Sequence, residues 1–582
     1  MFGSGARCVQ RCSRDRCGGG AVRRLAPART PDRKPEPSLP TEHDAETLAA
    51  LRAIAEQIAA AAPQGWRRAV LRGFATGGSG SGHHGFWYEP EPPGETGELD
   101  LHEALCRVHE LERAGDRLSI ELVVRPNGRF EALTSESLRR PTRPDRTGFT
   151  YLLRPGELPA EPADFQPGPA DPTQAGDPLH ALELLDGYLA RRAEILDRPE
   201  RLPQPLEADE REFLEDRLPV PLPADLRALY GRINGDRRAG LLHGHEWLGL
   251  NKVVALSDPA DRWWAVRDWE RLLFRELRYD SRPAGAVRRA VDRPGWLPFA
   301  HDTGGAFLAV DMDPGPNGRP GQVIRVGMRQ DDGPVYVADS VTSLLQRHVD
   351  ALADYSYQYR GGELRLFMAE QPEPAEGREL RVEGDSARLR DIPPAVQRLV
   401  IANTDRVDLA PLRGAPSLLE VELIDCLAAD LSALRGTPVE VLTAELDGID
   451  LAPLAAHPTL RVLRLTTGRP VDLSPLRDCP RLYGLDLARA EIGDVAVLTE
   501  LDGVRHLRLN ERQWDTLRET ASHPAGLAAA ELSGSPALRD AAAWAETLVD
   551  EPDLRYTRSR CEPPAGPHTS LWRRLLLRLR RP

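Results

Sequence analysis

From residue 391 onward the apolar positions repeat. Leu-x-Leu-like segments recur at Leu399-Val400-Ile401, Val421-Glu422-Leu423, Val441-Leu442-Thr443, Leu463-Arg464-Leu465, Leu485-Asp486-Leu487 and Leu507-Arg508-Leu509. After each of the first five comes an Asp and an aliphatic residue: Asp408-Leu409, Asp430-Leu431, Asp450-Leu451, Asp472-Leu473 and Asp494-Val495. The steps are 22, 20, 22 and 22 residues. A strand and a short turn repeated at this period predict an α/β solenoid over 391–515, because each unit buries its leucines only against its neighbours. The Asp can cap the short convex helix, and the nearby Pro suits its first turn. Between the buried leucines, Val400, Glu422, Leu442, Arg464, Asp486 and Arg508 should form the outward row of a concave sheet. The position where such repeats carry Asn holds Thr404, Cys426, Leu446, Gly468, Ala490 and Arg512. The usual ladder is therefore mostly missing, and irregular edges are expected.

A different pattern occupies 178–360. Apolar residues recur at helical spacing over 178–197, and Leu226, Leu229 and Ile233 line a helix that Pro223 opens and Asn234-Gly235 closes. A first strand is expected at 245–250. Runs 306–312, 322–328 and 335–338 have strand length, with a Pro/Gly/Asn-rich hairpin loop between the first two. Ser340 then offers an N-cap to a helix over 340–353. These strands predict one sheet with the helix on one face, an α+β domain. An Arg- and Trp-rich stretch, 259–293, interrupts it. Its Trp263 and Trp264 are candidate interface anchors, since Trp and Arg are enriched at binding hot spots; the alternative is a buried amphipathic helix that also takes in Trp269.

Residues 45–135 predict a small α+β domain. A helix begins near Ala45, and Glu121–Val124 runs through Asn127-Gly128 into Arg129–Leu133 as a hairpin. The remaining segments read as a basic tail (1–44), a mainly Pro-rich linker (136–177) in which Thr150-Tyr151-Leu152-Leu153 is expected as a last strand of the first domain, a second linker (361–390) and an Ala-rich helical C-terminal segment with a basic end (516–582). The fold class expected is multidomain: small α+β, then α+β, then an α/β solenoid.

The net charge of −13 argues against nucleic-acid partners. No run of 18 apolar residues exists, so no stable membrane insertion is expected. Seven scattered cysteines favour a reducing cytoplasm over a disulfide scaffold. Lysine occurs only at Lys34 and Lys252, a sign of GC-rich coding sequence. Candidate chemistry is thin. His243-Gly244-His245-Glu246 lacks a third metal ligand, and Asp311-x-Asp313 fails calcium-loop spacing. Asp302 and Asp311 have no companion nucleophile, Cys106 lies in a helical core pattern, and the Gly77–Gly85 loop lacks the Lys-Ser/Thr of a phosphate loop. The sequence thus predicts no catalytic, cofactor or metal residues. The candidate partner-binding residues are Glu422, Arg464, Asp486, Arg508, Trp263 and Trp264.

The motifs LPADLRALYGRINGD, WLPFAHDTGGAFLAVDMDP, GQVIRV and VYVADSVTSLLQRHVDAL, in this order over about 206–354, resemble the SUKH superfamily of Knr/Smi-like domains. The DLAPL and DLSPL repeats resemble the internalin-type leucine-rich repeat. The helix, Trp66 and the Pro-Asn-Gly-Arg-Phe hairpin of 45–135 resemble YezG-like immunity domains. These resemblances imply a non-enzymatic protein that binds a protein partner. The partner would be a toxin if the chain is a bacterial immunity or polyimmunity protein, or a pair of cellular proteins if it is a cytoplasmic regulatory scaffold.

Overall fold

The computed structural model describes residues 41–561, except 78–79, 91–98, 142–145, 263–264, 266, 329, 331, 361–362, 369–376, 385–388 and 390–391. Three sheets organise the described chain, and strands distant in sequence close two of them.

The N-terminal helix Ala45–Ala60 starts where Asp44 accepts the Thr47 N–H, and it buries Leu51, Ile54 and Ile58. With helix His102–Glu112 it packs on an antiparallel sheet. That sheet is ordered Ser81–Glu89, Arg68–Thr76, Arg117–Val124, Arg129–Ser135, Leu554–Arg560. The Asn127-Gly128 turn lies where expected, with Gly128 at φ 76°. Two expectations need correction here. The glycine-rich stretch is not a loop throughout, because Ser81–Gly85 already pairs with Gly73–Ala75 and Arg72. The C-terminal segment is not simply helical: Leu554–Arg560 forms the edge strand beside Arg129–Ser135. Its arginines, Arg555, Arg558 and Arg560, suit a sheet edge, where charge discourages pairing with other chains.

Within 178–360 one sheet runs in the order 335–338, 322–327, 306–311, 296–301, 246–247, with the helix Val341–Ala353 and the helices Pro178–Leu196 and Ala224–Tyr230 over one face, while Tyr357–Arg360 pairs with Glu363–Leu366 in a separate two-stranded sheet. Leu308 and Val310 point into that helical layer, while Phe307 and Ala309 join a smaller core on the other face with Trp296 and Ile324. The first strand is only Glu246–Trp247, since a helix begins at Leu250.

The third sheet is a stack of parallel strands: Glu379–Glu383, Arg398–Ala402, Glu420–Cys426, Val441–Leu446, Val462–Thr467, Gly484–Arg489, His506–Leu509 and Ala529–Ser533. Leucines from every unit build one continuous core. The aspartate caps are regular. Asp408, Asp430, Asp450, Asp472 and Asp494 each accept the N–H two residues on, at 2.9 Å. The stack is longer than 391–515 at both ends. It begins inside the expected second linker and gains a unit in which the helix Glu511–Thr520 replaces the short 3-10 turn.

The segment 136–177 is not merely a linker. Gly148–Leu152 adds antiparallel to Ala529–Ser533 and closes the stack, followed by Leu138–Arg139. Gly148, at φ 118°, is required there: a Cβ would lie 1.9 Å from the Leu532 carbonyl oxygen. In the row 441–446 the expected register is off by one. Leu442 is fully buried and Thr443 pairs with Glu422 and Arg464, so Thr443 takes the outward place. The shorter 20-residue step hides this, because Val441 has the character of an inward residue.

Candidate functional site

Strand geometry sends alternate side chains to opposite faces. In the stack, Val421, Leu442, Leu463, Leu485 and Leu507 point inward, and Glu422, Thr443, Arg464, Asp486, Arg508 and Glu531 form an aligned outward row. A parallel outward row one pleat earlier carries Glu420, Val441, Val462 and His506.

This face is not bare. The stretch that interrupts the 178–360 domain lies across it as a tongue. Leu277 packs on Leu419, Val441, Val462 and Tyr483. Trp269, only 1% exposed, sits on Leu152, Ala528 and Ala529. Tyr279 donates its hydroxyl to Glu420 at 2.5 Å, and Gln397 exchanges two hydrogen bonds with the Asp280 backbone. Arg289 pairs with the buried Glu440. Glu276 is held between Arg146 and Arg464.

Between tongue and sheet remains a polar cleft of about 840 Å³. Four of the expected partner-binding residues, Glu422, Arg464, Asp486 and Arg508, all line it. Each is already engaged within the chain. Arg398 donates to Glu422 at 2.7 Å, Arg464 meets Glu276, and Arg508 reaches Asp486 at 2.9 Å and Glu531 at 2.7 Å. Glu531 is fully buried. Burial alone would raise its pKa, but the His506 hydrogen bond and the charges of Arg146 and Arg508 outweigh this and hold it down at about 2. Burial also lowers the pKa of His506, against the raising effect of its hydrogen bond to Glu531. The cleft is therefore lined by ion pairs that satisfy one another. Trp263 and Trp264 lie outside the described residues. Sequence reasoning missed Glu276, Leu277 and Tyr279; the only signal was that 259–293 is an extra segment rich in Arg and Trp.

The other candidates take structural places. Asp302 accepts the Gly304 and Ala306 N–H groups. Asp311 is fully buried, accepts from Gln322 and from the Asp313 backbone, and is pushed up to about 7 by burial. Glu246 pairs with Arg238 and His301, and no group of potential metal ligands exists among the described residues. No helix among them is long and apolar enough to cross a membrane. The missing Asn ladder is replaced piecemeal: the Cys426 thiol points to the Ile424 carbonyl at 3.4 Å, and Gln513 donates to the Leu487 and Ala490 carbonyls at 2.8 Å each.

The fold and the cleft define a mixed α/β chain in which a five-stranded α+β domain is seated on a stack of leucine-rich units. Comparison with known proteins places the first part more narrowly: residues 205–347 match the SMI1 / KNR4 family (SUKH-1), and this segment is a domain of that family. It is 35% identical over 130 residues to the "Cell wall biosynthesis/cell cycle regulator smi1" of Schizosaccharomyces pombe, spanning 20% of this chain and 25% of the relative. It is 29% identical over 151 residues to the "Glucan synthesis regulatory protein" of Neurospora crassa, spanning 20% of this chain and 28% of the relative. The chain thus spans about a quarter of the length of these curated relatives. Among solved structures, an internalin of Listeria monocytogenes is similar at 16% identity, TM-score 0.19, covering 28% of this chain and 56% of that one.

Proposed function

We propose that this chain is a non-enzymatic protein-binding protein in which the SUKH-1 domain and a leucine-rich-repeat solenoid act as one body. The observation that carries this reading is the cleft. Its charged groups are committed to each other in pairs, an arrangement suited to holding a surface in shape and unlike one that keeps a base or nucleophile poised. Seating the tongue also removes the freedom between the two modules, and preorganisation lowers the entropy cost of binding.

The specific role proposed is that of a cytoplasmic immunity or polyimmunity protein that covers a toxin. The SUKH and YezG-like resemblances support it, and a net charge of −13 would speed encounter with a basic toxin. A second reading, a regulatory scaffold bridging cellular proteins, is favoured by the names of the fungal relatives, a cell wall regulator and a glucan synthesis regulator. Co-expression with the product of a neighbouring toxin gene tests the first. Rescue should be stoichiometric and track a complex of about one to one. Protection far below one equivalent would mean turnover and overturn the binding reading; no rescue alongside stable capture of a housekeeping protein would favour the scaffold.

A further inference from the structure

Away from the tongue, the SUKH-1 domain carries a second groove of about 1370 Å³. Its construction centres on a buried guanidinium. Arg192, 1% exposed, reaches two loops at once. It holds Glu200 with two hydrogen bonds of 2.7 and 2.6 Å, and it donates to the carbonyls of Ala239 and Gly240 at 3.0 and 3.1 Å. One charged group thereby clasps the 197–201 loop to the 236–241 loop.

Both loops present arginines outward. Arg198 and Arg201 are exposed on the first, Arg237 and Arg238 on the second. Arg237 and Arg238 adopt φ 46° and φ 64°, a left-handed backbone that crowds the Cβ of any side-chain-bearing residue. The conformation is held from beneath by the buried Asp236, which accepts the N–H groups of Arg238, Leu241 and Trp247. Strain retained at consecutive arginines, with a buried carboxylate and a buried guanidinium fixing it, marks a loop whose shape is used.

The charges do not cancel. Of the acids lining the groove, Glu200 is committed to Arg192, Glu246 to Arg238 and His301, and Asp302 to backbone amides. Arg198 and Arg201 are left facing solvent, in a chain that is strongly acidic as a whole. Beneath them the buried Leu196, Leu242, Leu364 and Leu366 form the groove's floor, and Phe367 stands 59% exposed at its rim.

We propose that this groove docks an acidic segment of a protein partner. Carboxylates would meet the arginines of the two clasped loops, and an aliphatic or aromatic side chain would settle against the exposed Phe367. The proposal rests on the protein-binding reading above and gives that binding a place and a chemistry.

The test uses the full chain and a short fluorescein-labelled peptide of Glu and Asp around a central Leu-Phe pair, read by polarisation. Saturable binding is expected. It should weaken about tenfold or more in R198E/R201E and in R237E/R238E, since each double reversal replaces attraction by repulsion. R539E, an exposed arginine outside the groove, should bind as the unaltered chain does. The same peptide with Gly for Leu-Phe should bind more weakly, and added salt should weaken all binding. Equal melting temperatures across the variants confirm that they fold. Absent binding, or binding untouched by both double reversals, overturns the proposal. So does tighter binding of a single-stranded oligothymidylate than of the peptide, which would make the groove a nucleic-acid site. A native partner that still co-purifies with both charge-reversed chains overturns the groove alone and leaves the protein-binding reading in place.

Discussion

Replacing Leu277 by Ala tests whether the tongue joins the SUKH-1 domain to the leucine-rich stack. The side chain is 7% exposed and packs on Leu419, Val441, Val462 and Tyr483. The change deletes three carbons, and at ~0.8 kcal/mol per buried methylene the transfer part is about 2.4 kcal/mol. Leu-to-Ala changes in closed cores reach about 5 kcal/mol through the cavity left behind. Leu277 also lines the open polar cleft, where water can enter, so the cavity part should be small. A loss of about 2–3 kcal/mol is therefore expected. Guanidinium unfolding followed by tryptophan emission and by far-UV circular dichroism measures it. Trp247, Trp269 and Trp296 report on the SUKH-1 domain and tongue, and Trp514 and Trp544 on the far end of the stack. The midpoint should fall for both groups if the tongue couples them. A change below about 0.5 kcal/mol, the range of ordinary surface substitutions, would show that the tongue is not seated on the sheet.

The corrected register predicts that Leu442→Asp unfolds the stack while Thr443→Asp leaves the melting temperature nearly unchanged; the opposite result would restore the register read from sequence. Gln513→Ala should cost about 1–3 kcal/mol by leaving the Leu487 and Ala490 carbonyls unsatisfied, measured by urea unfolding. Acid should destabilise the SUKH-1 domain through His348. Burial lowers its pKa from 6.5 to about 4, and the neutral ring accepts the His243 N–H while donating to the Leu344 carbonyl. The folded state thus prefers the uncharged ring, so this stability is fully present above pH 6.5 and is lost as pH falls towards 4, by about 3 kcal/mol. His43, also lowered to about 4 by burial, acts in the same direction. Unfolding free energies that stay flat between pH 7 and 4 would refute this.

Much of the architecture was legible in the sequence where one physical pattern repeats. The Asp-Leu steps gave the capped turns because every unit solves the same packing problem. The strands at 306–311, 322–327 and 335–338 stood out because both faces of that sheet are largely buried. What escaped notice was long-range or charged. Leu554–Arg560 carries arginines and pairs with a strand far back in the chain, so it has little local apolar signature. The strand at Thr150–Leu153 is legible locally, but its place is not: Gly148–Leu152 pairs with Ala529–Ser533 in the stack and not with the sheet of the first domain. The outward row was read correctly at Glu422, Arg464, Asp486 and Arg508, yet no local pattern could tell that Glu276 of the same chain would lie against Arg464. Arg192 likewise reads as a surface residue of an amphipathic helix until the two loops it clasps are folded over it.

The strand Leu554–Arg560 also sets a timetable. The sheet edge it covers, Arg129–Ser135, leaves the ribosome some 420 residues earlier, about 20–80 s at ordinary elongation rates of ~5–20 residues per second. Through that interval the nascent N-terminal sheet has an unpaired edge, a template for wrong pairing with other chains. Production in cells should therefore depend on a holding chaperone more than the finished protein's stability implies. A version ending before residue 554 should aggregate through its first domain, although the deletion touches only the last.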